Sequence, residues 1–371
     1  MRPLQENCTD SGCGQGIAPN FLHQQHGARR AARRIRPPQA RGLFGRHILS
    51  SPSAHRGALR NGVRMMMPAA TMPPSVARIL RGGGVIRSSG LVSAGLDHRR
   101  IAEGVRRGEL TMIRRGWYAV PPVDHDVVRA VRVGGALTAG SVAKLHGLWT
   151  LDDERLHVRV PSTASRLRSP DDSRSGLDAD VHGVCVHYRP AGGPKSSSDR
   201  LGRDGLARSL AEMFRCAGTV PAMVALESAL NRGVLHSQAL AAIRTLAPAW
   251  ADRPIGLASP LSDSGLETIA RLLFHRVRVP VRTQVRIEGV RRVDVLVGDR
   301  LVIELDGRGF HSGDDFDRDR RQDLELSLRG YLVVRLSYRM VIEEWDETHR
   351  RVLELVGRGL HRWGRAAREQ H

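Results

Sequence analysis

Apolar residues near the start of the folded sequence recur with helical spacing, and a segment of alternating apolar and polar residues follows them. Three short helical stretches end at Gly82–Gly84, by Gly95 and at Gly108, and glycine ends helices because it adopts positive φ without a steric penalty. Leu110–Val120 predicts two short strands that meet in a turn at Arg115–Gly116. Three short helices followed by a hairpin is the element order of a winged helix.

In a winged helix, one helix enters the major groove of DNA while basic flanking residues contact phosphates. Asp97 is placed to cap the third predicted helix, which begins the most basic part of this region. We predict that six arginines of this helix and the hairpin contact DNA: Arg99, Arg100, Arg106, Arg107, Arg114 and Arg115. A small helical domain with an ordinary basic face is the alternative interpretation.

Residues 84–120 resemble the N-terminal winged-helix domain of AbiEi-type antitoxins. The segments ALTAGSVAKLHGLW (136–149) and RLHVRVP (155–161) are similar to the sequence that follows that domain in related proteins. The resemblance implies a DNA-binding regulator.

The middle of the chain contains few candidate catalytic or binding residues. Residues 162–180 are rich in Ser, Asp and Arg and predict a loop, and residues 181–188 predict a strand. Leucines and methionines at three- and four-residue spacing predict helices over residues 201–246. We interpret Cys216 and His236 in this region as packing residues.

The C-terminal third alternates helical and strand patterns. Ser264 precedes an apolar-periodic helix with Glu267 in its first turn, and Pro280 ends that element. The pattern then predicts strands at 281–288, 291–297 and 301–306, a loop at 307–313, a helix at 314–329, a strand at 331–336, and a last helix from Tyr338 to beyond Leu355.

Carboxylates are concentrated on these strands. With a two-residue period, Glu304 and Asp306 share a face with Val302, and a hairpin would bring Asp294 beside Glu304. Three converging carboxylates repel one another and favour a divalent cation, and all-oxygen ligands suit Mg²⁺ or Mn²⁺. His311, on the following loop, could move protons near neutral pH.

Residues 267–336 resemble the DUF559 domain of the Vsr-like endonucleases, in the PD-(D/E)XK superfamily. The similar segments include TQVRI (283–287), RRVDVLV (291–297) and LVIELDGRGFH (301–311). The resemblance implies that Asp294 and Glu304 are metal ligands, that Glu267 is an acidic helper, and that His311 is a general acid or base.

The resemblance extends to residues with less defined roles. Gln284 matches a family position of unclear role, and Arg318 with Asp319 matches a recurrent pair that is either structural or faces the phosphate. Asp306 occupies the position of the lysine in the wider superfamily, as it does in DUF559 proteins. We therefore expect Asp306 or His311 to orient the attacking water.

Each acid also has a structural interpretation. Asp294 could be a solvated carboxylate at a strand end, and Glu304 and Asp306 could pair with Arg292 or Arg335. Glu267 could be a simple helix N-terminal acid, favoured by the helix dipole.

Composition adds a strong charge bias to this picture. The 371 residues include 58 Lys and Arg against 38 Asp and Glu, a net charge of +20, which favours a polyanion partner such as DNA. Residues 1–72 hold 11 arginines and two acids and predict a disordered tail or a misassigned start. No apolar run reaches the length of a membrane span, and four cysteines are too few for a disulfide framework, so we expect a cytoplasmic protein without membrane contact.

The predicted fold is a mixed α/β (α+β) chain with an N-terminal winged helix and a C-terminal restriction-endonuclease-like core around a mixed sheet. The expected divisions are a tail (1–72), a winged helix (73–122), an α/β extension (123–190), a linker (191–200), a helical connector (201–260) and a nuclease domain (261–371). The predicted function is a Mg²⁺- or Mn²⁺-dependent endodeoxyribonuclease, and the alternative is a non-catalytic, antitoxin-like regulator with a relic nuclease fold. Whether the chain forms a homodimer or binds another protein stays open.

Overall fold

The computed structural model describes residues 84–120, 123–151, 154–188, 201–290, 292–307 and 314–364, and at 314–319 the backbone alone. The fold is mixed α+β with three sheets among these residues, as predicted. The predicted tail (1–72), the first predicted helix (75–81) and the predicted linker (191–200) lie outside the described residues. Within the described ranges, every helix is too short or too polar to span a bilayer.

The first described unit contains the predicted hairpin. Its elements are β1 (Val85–Arg87), α1 (Ser88–Ser93), α2 (His98–Arg106), β2 (Thr111–Arg114) and β3 (Trp117–Ala119). Asp97 caps α2 as predicted, because its Oδ1 accepts a hydrogen bond from Arg100 N at 2.7 Å. Strand β1 was not expected from the sequence, and it completes a sheet of order β1-β3-β2 by pairing antiparallel with β3.

A second sheet follows in the predicted α/β extension. Its elements are α3 (His125–Val133), β4 (Ala136–Leu137), α4 (Ala139–Leu145), β5 (Leu156–Val160) and β6 (Val184–Tyr188). The strand order is β4-β5-β6, and β5 and β6 run parallel. Strand β6 begins at Val184 rather than Val181 because the preceding residues form a turn, closed by the hydrogen bond from Val184 N to Ala179 O at 2.8 Å.

The next segment is helical, as its periodicity predicts. It contains α5 (Leu206–Cys216), α6 (Thr219–Asn231), α7 (Ala239–Leu246), a 3₁₀ turn (Ala249–Ala251) and α8 (Asp252–Gly256). These helices share a core that includes Phe214, Met223, Leu226 and Ile243, all fully buried. Burial of these side chains is what fixes the helices against one another.

The C-terminal unit has the predicted order of helix, three strands, helix and strand. Its elements are α9 (Gly265–Arg276), β7 (Val281–Arg286), β8 (Arg292–Val297), β9 (Leu301–Asp306), α10 (Asp314–Leu328), β10 (Leu332–Ser337), α11 (Tyr338–Ile342) and α12 (Trp345–Gly357). The sheet order is β10-β9-β8-β7, with β9 and β10 parallel and the other pairs antiparallel. The single last helix predicted from Tyr338 is wrong, because the chain breaks between α11 and α12, where the side chain of Trp345 is buried.

One buried ion pair links the second sheet to the helical segment. Arg159, on β5, contacts the Asp204 carboxylate through Nε at 2.6 Å and Nη2 at 2.5 Å, and Thr138 Oγ1 donates to Asp204 Oδ2 at 2.8 Å. Both charged side chains are almost fully buried. Each charge therefore depends on the other for its solvation.

We expect Asp204→Ala to lower the free energy of unfolding by about 3–5 kcal/mol, because it removes the carboxylate that contacts the buried Arg159 guanidinium through two nitrogens. Urea unfolding of the full chain measures this loss. Asp252→Ala is the matched control, since Asp252 pairs with Arg244 on the surface at 3.4 Å, and its effect should be about 0–1 kcal/mol. Equal losses in the two variants would contradict the assignment.

Candidate functional site

Two carboxyl groups face each other across β8 and β9. In this antiparallel pair Val295 lies opposite Ile303, and the same register continues to Asp294 and Glu304. Leu305 N donates to Asp294 Oδ2 at 2.9 Å, and a hydrogen bond also joins the Asp294 and Glu304 carboxyl groups. The predicted juxtaposition of these two acids is therefore present.

The surroundings of this pair disfavour two negative charges. Burial, reinforced by the neighbouring Asp294, raises the pKa of Glu304 to about 8. Burial also raises the pKa of Asp294, although the hydrogen bonds from Leu305 and Glu304 oppose the shift. Glu304 Oε1 is buried and has no hydrogen-bond partner within the described part of the chain. With a pKa of about 8, Glu304 binds a proton near neutral pH more readily than an ordinary carboxyl group does.

Glu267 lies beside this pair, at the N-terminus of α9. Ser264 caps the helix by accepting from Glu267 N at 3.3 Å, and the Glu267 carboxylate accepts from Asp263 N and Ser264 Oγ at 3.2 and 3.1 Å. This is the capping arrangement that the helix-end interpretation predicts. Burial is the main cause that raises the Glu267 pKa to about 7, and Asp294 contributes.

Gln284 connects the helix acid to the sheet. Its Nε2 donates to Glu267 Oε2 at 2.7 Å. Its backbone has φ 58° within β7, between the residues that pair with Val295 and Val293, and therefore level with Asp294. A non-glycine residue in the left-handed region costs about 1–3 kcal/mol, and such strain is concentrated at functional sites. The sequence offered no signal for this conformation beyond the family position.

Asp306 is engaged differently from the other acids. Arg335, on β10, donates to Asp306 Oδ1 at 3.2 Å and binds Asp323 of α10 through Nε and Nη2 at 2.9 and 2.8 Å. These two carboxylates raise the already high pKa of Arg335 further. The structural pairing of Asp306 with Arg335 is therefore present, whereas Arg292 pairs with Asp263 at 2.6 Å. Asp306 is therefore held by Arg335, and it still lies near enough to Asp294 to contribute to the raised pKa of Asp294.

The structure brings Asp294 and Glu304 together, and Glu267 lies near enough to Asp294 to sense its charge. Among the described residues, the three acids do not form a group whose ligand atoms all lie within 4.8 Å of one another. The facing pair, with the buried Glu304 Oε1 lacking a partner within the described residues, offers oxygen ligands of the kind that Mg²⁺ or Mn²⁺ prefers. His311 lies outside the described residues. Arg318 belongs to α10, but its side chain is likewise outside the described part.

Five of the six arginines predicted to contact DNA are exposed to solvent. Arg99, Arg100, Arg106, Arg107 and Arg115 are exposed, and Arg107 forms an ion pair with Glu103 one turn away. Arg114 instead packs against α3, where its Nη1 donates to Val131 O at 3.3 Å. Burial, together with Arg87 and Arg168, lowers its pKa. The position of Arg114 therefore does not match the predicted surface contact.

Comparison with known proteins adds a family match at the N-terminal unit. Residues 75–121 match the family described as "Transcriptional regulator, AbiEi antitoxin", which covers the described hairpin and helices α1 and α2. No curated protein sequence matches the chain. Among solved structures, the catalytic domain of the homing endonuclease I-Bth0305I is similar over 25% of this chain and 94% of its own, with 20% identity and a TM-score of 0.23.

Proposed function

We propose that the protein binds DNA through its N-terminal unit and hydrolyses phosphodiester bonds at the carboxylate cluster of its C-terminal unit with Mg²⁺ or Mn²⁺. The observation that carries this proposal is the facing pair Asp294 and Glu304 with a buried, unsatisfied oxygen. Such a pair destabilises the fold when both acids ionise, and a divalent cation removes that cost.

Asp294 and Glu304 would hold the cation. When bound, a divalent cation activates water and stabilises negative charge on phosphoryl oxygens. Glu267 has a pKa of about 7 and therefore suits proton exchange at neutral pH, while Gln284 orients its carboxylate. Arg335 fixes Asp306 at the edge of the cluster, where the superfamily pattern places a lysine. The DUF559 and Vsr-like resemblance supports this assignment of roles.

The exposed arginines of α2 support DNA binding. Arg99 and Arg100 lie in its first turn, and neither has a carboxylate partner within the described salt bridges. The match to a transcriptional regulator family over the same residues supports DNA as the polyanion. Basic side chains that neutralise phosphates release counterions, so this binding should weaken steeply with salt.

A non-catalytic DNA-binding regulator is the second candidate function. The observation that favours it is the same family match, because its description names a transcriptional regulator and an antitoxin. In that case the C-terminal unit would keep the nuclease fold as a relic. Both candidates share the DNA-binding step and differ only in the response of the carboxylate cluster to metal.

We expect the full chain to nick or cleave plasmid DNA with Mg²⁺ or Mn²⁺ and not with EDTA. Asp294→Asn and Glu304→Gln should each reduce the rate by at least about 100-fold, because each removes a charged metal ligand. Glu288→Gln is the matched control, since Glu288 is exposed beside the turn of the same sheet and should keep full activity.

The nuclease proposal would be contradicted if the protein binds DNA but shows no metal-dependent cleavage of duplex, single-stranded or mismatched DNA. That result would favour the non-catalytic regulator. Equal cleavage by the parent and both acid variants would reveal a contaminating nuclease.

The cluster also predicts how stability depends on pH. Because the folded pKa of Glu304, about 8, lies above its ordinary 4.5, the folded state holds the proton more tightly than the unfolded state. In EDTA, the melting temperature should therefore fall as pH rises from about 5 to about 8, and it should fall less in Glu304→Gln. Adding Mn²⁺ near pH 8 should raise the melting temperature of the parent by several degrees and leave that of Glu304→Gln unchanged. Identical pH profiles of parent and variant would contradict this account.

Arg99→Ala and Arg100→Ala should each weaken DNA binding at every sequence tested and reduce the slope of log affinity against log salt by about one. Fluorescence anisotropy with a labelled duplex measures both quantities. Arg244→Ala, on the exposed side of α7, is the control and should leave the slope unchanged. A slope unaffected by both variants of α2 would remove this helix from the interface.

A further inference from the structure

A second cluster of potential ligands lies on the sheet of the α/β extension, away from the carboxylates. Strands β5 and β6 run parallel, with His157 opposite Cys185 and Arg159 opposite His187. Cys185 and His187 are two residues apart on β6 and therefore point to the same face. Their ligand atoms and that of His157 all lie within 4.8 Å of one another, and all three residues are buried. Among the described residues, this is the one group with that spacing.

Helix α5 brings a fourth candidate ligand to this face. His157 Nδ1 lies 3.0 Å from His187 Nε2, and Sγ of the buried Cys216, the last residue of α5, lies 3.9 Å from His157 Nδ1. Tetrahedral zinc places two nitrogen ligands about 3.3 Å apart and a nitrogen and a sulfur about 3.6 Å apart. Both observed distances are within about 0.4 Å of these values.

An outer carboxylate orients one of the imidazoles. His187 Nδ1 lies 3.1 Å from Glu212 Oε1. With His187 Nδ1–H donating to this carboxylate, the Nε2 lone pair of His187 faces His157. A carboxylate on the far nitrogen of a histidine is the usual outer contact of a metal ligand.

We propose that His157, Cys185 and His187 bind one zinc-class divalent ion in the reduced chain, and that the Cys216 side chain, 3.9 Å from His157 Nδ1, moves in as the fourth ligand. Two thiolates and two neutral imidazoles neutralise the ion, so the complex carries no net charge into a buried site. Four protein ligands in the interior leave no open position, and such a centre is structural. The bound ion would join strands β5 and β6, which precede residues 189–200 in the chain, to helix α5, which follows them.

The oxidation state of Cys185 controls this site. Cys185 takes part in a disulfide in this structure, and zinc binds the thiolate rather than a disulfide sulfur. A phosphine reductant with one water converts the disulfide into two thiols and is itself oxidised to the phosphine oxide. Zinc binding then displaces the protons of Cys185 and Cys216. The site is therefore available only to the reduced protein.

A metal-free arrangement of the same residues makes the opposite prediction. Without an ion, His157 would donate its Nδ1–H to His187 Nε2, and the imidazoles would form a hydrogen-bonded chain that ends on Glu212. That chain needs neither cysteine. Metal content and cysteine dependence therefore separate the two arrangements.

The test uses the full chain, reduced with the phosphine, loaded with zinc or cobalt(II) and dialysed. We expect about one equivalent of bound zinc, and with cobalt a sulfur-to-metal charge-transfer band together with the visible bands of tetrahedral geometry. Cys185→Ser, Cys216→Ser and His187→Asn should each abolish or shift the charge-transfer band. His125→Asn, at an exposed position on α3, is the matched control and should leave it unchanged.

Cobalt spectra keep this site distinct from the carboxylate cluster. Asp294→Asn should leave the charge-transfer band intact, because that cluster contains no sulfur. Circular dichroism of each variant shows whether it is folded. If Cys216→Ser does not fold, His157→Gln provides a milder change at a second ligand. Less than about a tenth of an equivalent of zinc in the reduced, folded parent would overturn the proposal, as would a band that persists in both serine variants.

Discussion

The C-terminal unit is organised around two carboxyl groups that the β8–β9 register forces to face each other. Neither can move away, because the flanking residues Val293, Val295 and Ile303 are buried in the same sheet. Two ionised acids in this position would repel each other in a poorly solvated environment. The fold therefore requires either a proton or a cation between Asp294 and Glu304, and the rest of the unit is arranged around that requirement.

The neighbouring elements limit how much negative charge reaches this point. Arg335 holds Asp306 and Asp323 in one ion-paired group, and its charge also opposes the rise in the pKa of Glu304. On the other side, Gln284 adopts a left-handed backbone within a strand and donates to Glu267. Gln284 thus connects Glu267, on helix α9, to the position in the sheet that lies beside Asp294. Such backbone strain lowers stability locally, and it is typical of a site that is selected for chemistry rather than for stability.

The protein separates its charges by unit. A chain with a net charge of +20 carries exposed arginines on the N-terminal helix and a half-buried acidic pair in the C-terminal sheet. This division suits a molecule in which one surface attracts a polyanion and another holds a cation. The histidine and cysteine cluster of the middle sheet differs from both, because its ligands are soft and buried. Oxygen ligands such as those of the acid pair are preferred by Mg²⁺ or Mn²⁺, whereas sulfur and nitrogen ligands are preferred by zinc.

The sequence by itself determined the order of helices and strands in the C-terminal unit, the cap at Asp97, the hairpin and the approach of Asp294 to Glu304. Those features depend on periodicity, turn residues and register, which are local. The tertiary structure alone decided that Asp306 pairs with Arg335, that Arg114 packs against α3, and that Gln284 bonds to Glu267. It also brought His157 to Cys185 and His187, although the alternation of Cys185 and His187 along one strand was a visible signal. Parallel pairing and helix docking join residues far apart in the chain, and no local pattern encodes which side chains will meet there.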